Sequence, residues 1–177
     1  MMRIGLLSDT HDHLPAIAAL VRRMAEVGCS LVMHAGDYCA PFSFAPIHDV
    51  HLPVLGVFGR NDGDHAGLVA AASSGGVSSE LYASPHSFQV GGHSVLLVHD
   101  LAEVQQRSID AHEIVVHGFT HLPEMKTRGN TLLVAPGEGC GWLHGAPTAA
   151  ILDLESRAVE FLKLGPHDVT PYLPGTP

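Results

Sequence analysis

The chain carries a series of short apolar runs, each ending in a carboxylate or an imidazole: RIGLLS before Asp9 and His11, LVMHAG before Asp37, VLLV before His99, and EIVVHGFT before His121. Apolar runs of this length bounded by polar residues read as buried strands. Placing a metal-ligating side chain where each strand meets solvent points to several strand ends converging on one site. Asp9 and His11 are two residues apart, and the two-residue period of a strand predicts that they point the same way. Neighbouring strand ends in a parallel sheet lie about 5 Å apart, so Asp37 is placed to bridge two cations. Each residue alone has a plainer reading: Asp9 as a helix cap, Asp37 as a loop acid in a Gly turn, His99 as a strand histidine donating to a carbonyl. A carboxylate beside imidazoles suits divalent Mn, Fe, Zn or Ni better than Ca or Mg.

Between these runs, residues 14–28 place Leu14, Ile17, Ala18, Val21, Met24 and Val27 on one face, with Pro15 near the start and Gly28 at the end, and so predict a helix. A short Pro-bounded helical stretch is expected around 41–50, between strands at 31–35 and 53–58. Together these form a βαβ series and a parallel sheet. From residue 73 the pattern changes. A flexible SSGG turn leads to a hairpin around Gly91-Gly92, a short amphipathic helix over 102–110, and strands at 113–117, 124–128, 131–135, 148–154 and 158–164. This half is expected to be mostly antiparallel, giving two packed sheets with helices outside. Residues 1–164 are expected to form one domain, and the Pro-rich segment 165–177 a loosely held tail.

Composition limits the function classes. The 177 residues carry a formal charge of −9 with histidine neutral, and the nine Lys and Arg form no basic stripe, so stable binding of a nucleic-acid duplex is not expected. Three cysteines without CxxC spacing argue for a reducing compartment, and the N-terminus turns polar too soon for a signal peptide or membrane span, so the expected location is cytoplasmic. Fourteen histidines are unusual, but several, such as His48, His51, His65, His86 and His144, read as surface or turn residues.

Taken in order, SDTH, AGD, VFGRND, LLVHD and HGFTH resemble the calcineurin-like metallophosphoesterases, most closely their small YfcE-like branch, whose fold the retromer scaffold subunit shares. The resemblance runs from about residue 2 to 164 and includes TLLVAPGEG and APTAAILDLE. It implies an α/β fold, a four-layer αββα sandwich of two mixed β-sheets flanked by helices. It also implies hydrolysis of a small phosphate ester, most simply a diester, by metal-activated hydroxide, with that ester or inorganic phosphate as the molecule bound. Family members often pair through sheet edges, which leaves a homo-oligomer open.

Carried over residue by residue, the resemblance assigns Asp9, His11 and His121 to a first metal, with Asp37 shared, and His99 to a second. The family's Gly-Asn-x-Asp loop reads Gly59-Arg60-Asn61-Asp62 here, and its Gly-His-Thr-His reads Gly118-Phe119-Thr120-His121. Two second-site ligands are therefore replaced. A one-residue slip beside Gly59 would make Asn61 a ligand. No slip restores the second ligand at Phe119, because His117, although of the right parity, lies deeper in its strand and reads as a buried histidine with a backbone partner. Arg60, Asn61 and Asp62 are the candidate catalytic residues. Arg60 either offers its guanidinium fork to phosphate oxygens or turns to solvent, Asp62 or Asp64. Three readings stay open: a two-metal phosphoesterase, a one-metal variant with Arg60 as substitute charge, and a non-catalytic phosphate-binding or scaffold protein.

Overall fold

The structure is a computed structural model and describes residues 2–175. β1 (Arg3–Leu7), β2 (Cys29–His34), β3 (Val54–Val57) and β4 (Glu80–Tyr82) form a parallel array, connected by α1 (Leu14–Glu26), a 3-10 turn at Pro41–Phe44 running into α2 (Ala45–Asp49), and α3 (His65–Ser74). β5 (His86–Val90), β6 (His93–Val98), β7 (Ile114–His117), β8 (Pro123–Arg128) and β9 (Thr131–Pro136) build a second sheet in the order β5-β6-β7-β9-β8, with α4 (Gln106–Asp110) between β6 and β7. β10 (Thr148–Asp153) and β11 (Val159–Lys163) return to the first sheet, whose order is β11-β10-β1-β2-β3-β4.

The layers follow from alternation along the strands. Ile4 and Leu6 of β1, Met33 of β2, Val95 and Leu97 of β6, and Ile114 and Val116 of β7 all fall in the cluster between the two sheets. The opposite face of the first sheet packs on Ile17, Leu20, Val21 and Met24 of α1 and on Leu68 and Ala72 of α3. Leu96, Val98 and Val115 cover the outer face of the second sheet together with Ile109 of α4. Two mixed sheets thus lie face to face with helices outside, as the sequence pattern predicted.

The antiparallel pairing expected of the second half is found at β5–β6, β8–β9, β10–β11 and β10–β1, while β6, β7 and β9 form a parallel centre within the second sheet. The stretch AGLVAAASS, unassigned from sequence, is helical because Asp64 accepts a hydrogen bond from Gly67 N at 2.9 Å and the positions four apart, Leu68 and Ala72, face the core. Residues 102–110 are not one helix. Asp100 caps a 3-10 turn at Leu101–Glu103, and an extended residue at Gln105 precedes α4.

Beyond Leu164, Asp168 pairs with Arg23 at 3.2 Å, Val169 packs against the α1 cluster, and the Tyr172 hydroxyl donates to Asp49 at 2.7 Å. Residues 176–177 of the expected tail lie outside the described residues. Among the described residues no helix is long and apolar enough to cross a membrane.

Leu97 is fully buried between the sheets, two residues before His99. Leu97→Ala should lower unfolding free energy by about 2–5 kcal/mol, read from the urea midpoint, because the two rigid sheets cannot collapse onto the lost volume.

Candidate metal centre

Parallel strands end at the same edge of a sandwich, so the loops after β1, β2, β3, β6, β7 and β9 share one rim. Backbone hydrogen bonds draw them into a ring. Asp9 N donates to Gly36 O at 3.0 Å, and Thr10 N and His11 N both donate to Asp37 O, bringing the first loop onto the second. Gly118 N donates to His99 O at 3.0 Å, and Cys140 N to Asp9 O at 3.0 Å, which adds the loops after β7 and β9. The β3 loop is held by Asp62, whose buried carboxylate accepts from Asp37 N, Cys39 N and Gly59 N at 3.0, 2.8 and 2.7 Å. At Gly59 a Cβ would collide with the Asp37 carboxylate, so this approach requires glycine.

Seven of the nine positive-φ non-glycine residues among the described residues lie in this ring: Asp9, His11, Asp12, Asp37, Cys39, Phe119 and His121. The left-handed conformation costs roughly 1–2 kcal/mol at an ordinary residue, less for Asp, and such strain collects at functional sites. It also changes how Asp9 and His11 converge. β1 ends at Leu7, and both residues are left-handed, at φ 52° and 39°, so a turn rather than strand parity aims them together.

The side chains meet as overlapping groups, two of them on Asp9 and a third made of His121, Glu138 and Cys140. Ligand atoms of Asp9, His11 and His121 lie within 4.8 Å of one another, as do those of Asp9, Asp37 and His99. Asp37 Oδ2 stands 3.5 Å from His11 Nε2 and 3.6 Å from His99 Nε2, within reach of both groups. Asn61 donates to the same carboxylate twice, through its backbone N to Oδ1 and its Nδ2 to Oδ2, each at 2.8 Å.

Hydrogen bonds on the far side of two rings decide what faces inward. His99 Nδ1 lies 2.8 Å from the Ala35 carbonyl, which can only accept, so Nδ1 carries the proton. In the neutral ring its Nε2 is then a lone pair aimed at Asp37. His121 Nδ1 lies 3.0 Å from Glu138 Oε2, and its Nε2 stands 3.4 Å from Asp9 Oδ1. His99 Nε2 and Asp9 Oδ1 are both buried and have no hydrogen-bond partner among the described residues. Acceptor facing acceptor in a dry site is repulsive unless a cation lies between them. Burial pushes the Asp9 carboxyl above its usual range, against the lowering effect of the Ser8 hydroxyl, His121 and His99. A divalent cation would supply the charge this arrangement lacks, so the donor set fits one.

Several residues here carried no role in the sequence reading. Glu138 is nearly fully buried and accepts from His121 Nδ1, Leu143 N and His144 N at 3.0, 3.0 and 2.6 Å. Burial alone would raise it, but the hydrogen bonds from His121, His144 and Leu143 outweigh that and hold it below the usual glutamate range. Its lone signal was a carboxylate in the Pro-Gly turn after a strand. His34 lies beneath the ring. Its Nδ1 accepts from Gly36 N at 3.1 Å, and its Nε2 faces the Thr10 hydroxyl at 3.1 Å. Burial, with His99 and His11 nearby, lowers its pKa to about 3.

The second group departs from symmetry at Phe119 and Arg60. The Arg60 guanidinium lies 4.0 Å from the Phe119 ring centre and pairs with Asp100 at 2.5 Å, while Phe119 meets the His99 ring edge-on at 5.9 Å. Of the partners left open from sequence, Asp62 is saturated by backbone donors and Asp64 caps α3, so Asp100 is the acid Arg60 finds. His117 is buried with Nδ1 unpartnered among the described residues. It shares β7's outer face with Val115, not the inner face with Val116, so strand parity points it away from the centre.

A family model described as the calcineurin-like phosphoesterase superfamily domain matches residues 2–157, and the chain belongs to that family. It is 28% identical over 160 residues to the phosphodiesterase MJ0936 of Methanocaldococcus jannaschii, a match covering 88% of this chain and 95% of that protein. The solved structure of an archaeal phosphodiesterase overlays with a TM-score of 0.86 at 27% identity, covering 92% of this chain and all of that one. The phosphoesterase YfcE of E. coli shares the fold, with a TM-score of 0.65 at 17% identity over 93% of this chain and all of YfcE.

The buried His34 gives an acid-sensitivity test. Its folded pKa lies below the unfolded value near 6.5, so between about pH 6.5 and 3 the unfolded chain binds a proton that the folded one refuses, and stability falls as pH falls. His34→Asn keeps an acceptor for Gly36 N and removes that titration. Urea unfolding of metal-free protein should show the parent losing up to about 1.4 kcal/mol per pH unit more than the variant in this window.

Proposed function

We propose that this chain is a metal-dependent phosphodiesterase acting on a small phosphate ester, with a complete first cation site and a depleted second one. The observation that carries this reading is the pair of histidines, His99 and His121, whose outward hydrogen bonds leave Nε2 lone pairs facing the carboxylates of Asp37 and Asp9. Asp9, His11, Asp37 and His121 would hold the first ion. Asp37, His99 and Asn61 would hold the second, Asn61 needing only an amide flip to present its oxygen. The nitrogen and carboxylate donors suit Mn, Fe, Zn or Ni. When bound, such ions supply Lewis-acid charge for phosphoryl oxygens and lower the pKa of a water to the neutral range.

The chain's own residues orient these parts. Asp62 fixes the Asp37 backbone, Glu138 fixes the His121 ring, and the Ala35 carbonyl fixes His99, so little reorganisation remains for the reaction itself. Asn61 and Arg60 stand at the mouth as donors for non-bridging phosphate oxygens. The net charge of −9 without a basic stripe favours a small ester over a nucleic-acid duplex. Three free cysteines agree with a cytoplasmic setting.

A one-ion variant is favoured by a specific observation, the Arg60 guanidinium resting on Phe119 next to His99. There a fixed positive charge takes the place of part of the second ion's contribution, and the Asp100 pair, half exposed on the arginine side, is weak enough to exchange for phosphate.

Metal content and turnover of an activated aryl phosphodiester with Mn²⁺ test both readings. Chelation should abolish turnover and Mn²⁺ should restore it. The native chain should retain about one firmly held ion, and Phe119→His combined with Arg60→Asn should raise both metal content and rate. Two tightly held ions in the native chain would sink the depleted-site reading, and absence of turnover with any divalent ion would sink the enzyme reading.

A further inference from the structure

The loop after β9 places the only tryptophan of the chain beside the proposed first-ion ligands. The Trp142 ring lies 6.2 Å from the His11 ring at an interplanar angle of 28° and 5.8 Å from that of His13, yet 61% of the residue is exposed. Leu143, its neighbour, is 70% exposed. Together with His11, His121 and Cys140 they line a cleft of about 260 Å³. A tryptophan and a leucine left open to solvent have no reason in the fold to be so placed, because neither fills the core. Two of the candidate cation ligands, His11 and His121, form part of its wall.

The loop is not a loose one. Glu138 accepts from Leu143 N and His144 N with the same carboxylate that holds His121 Nδ1, so one buried group fixes both the metal-side ring and the platform beside it. The Cys140 thiol contributes no charge to the cleft, since burial pushes its pKa up to about 11. The walls are therefore rigid, apolar and largely aromatic, next to a centre built for phosphate.

We propose that Trp142, with Leu143, forms a specificity platform on which a planar aromatic substituent of the phosphate ester stacks, with its phosphate at the cation centre. This rests on the phosphodiesterase reading above and adds the class of substituent. An indole beside His11 and His13 with more than half of its surface free favours a flat ring over an alkyl chain, because stacking rewards planar contact beyond area alone. A nucleobase and a simple aryl group share that chemistry.

Non-hydrolysable phosphonates test this without catalysis, and the single tryptophan reports it directly. The Zn²⁺-loaded protein is titrated with phenylphosphonate, methylphosphonate and a nucleoside phosphonate, following Trp142 emission and, in parallel, heat of binding. Phenylphosphonate should change the emission and bind roughly five- to tenfold tighter than methylphosphonate. Trp142→Ala should erase that preference, and Trp142→Phe should restore part of it. Tighter binding of the nucleoside phosphonate than of phenylphosphonate assigns the platform to a nucleobase, and the reverse to an aryl group. Equal affinity for phenyl and methyl compounds in the native chain overturns the platform while leaving the phosphodiesterase reading intact. Binding of none of the three overturns both.

Discussion

The Nδ1 atoms of His99 and His121 point at the Ala35 carbonyl and the Glu138 carboxylate, and these two acceptors hold the opposite Nε2 atoms toward Asp37 and Asp9. Neither acceptor belongs to the centre itself. Ala35 follows β2, and Glu138 follows β9, so each ring is fixed by a loop that its own strand does not carry. The buried carboxylate oxygen of Asp9 and the Nε2 of His99 are then left unpaired in a site from which water is largely excluded. Such groups are expensive to bury, and a cation between them would convert repulsion into attraction.

That tolerance depends on rigidity. Two sheets packed through Leu6, Met33, Val57, Leu97, Ile114 and Val134 give a base from which six loops rise to one rim. The loops are tied by hydrogen bonds from Asp9, Thr10, His11, Gly118 and Cys140 to their neighbours, and Asp62 spans three backbone donors. Left-handed backbone at seven ring residues is supported by these bonds. The same carboxylate of Glu138 that orients His121 also fixes the turn bearing Trp142, which links metal-side geometry to the rim of the cleft.

Much of this was legible in the sequence because strand ends and ligands coincide: Asp9, His11, Asp37, His99 and His121 all follow apolar runs, and their order carries the family resemblance. The parity credited to His117 was wrong: it lies on the outer face with Val115, whereas His99 follows Leu97 on the inner face, because the chain turns left-handed at Phe119 after β7 ends. What the sequence left dark depends on contacts between distant segments. Glu138 and His121 are seventeen residues apart and meet through a turn; Arg60 finds Asp100, forty residues away, not its neighbours Asp62 and Asp64. Strand parity failed for Asp9 and His11 because the chain leaves the strand at Leu7. The hairpins at Gly91-Gly92 and Gly129-Asn130 were legible from their turn residues, whereas the parallel run of β6, β7 and β9 depends on the longer connections between them.

Beside the second group stands Phe119, which offers no lone pair and whose ring supports Arg60 and abuts His99. The centre nevertheless keeps His99 in the orientation a ligand requires. Long-range ¹H–¹⁵N spectra of histidine-labelled protein, with and without Zn²⁺, test this most directly. The account predicts that His99 and His121 carry their protons on Nδ1, that Zn²⁺ moves the Nε2 resonances of His11 and His121 first and His99 at higher concentration, and that His34 and His117 are unmoved. Protons on Nε2 of His99 and His121, or spectra indifferent to Zn²⁺, would contradict it.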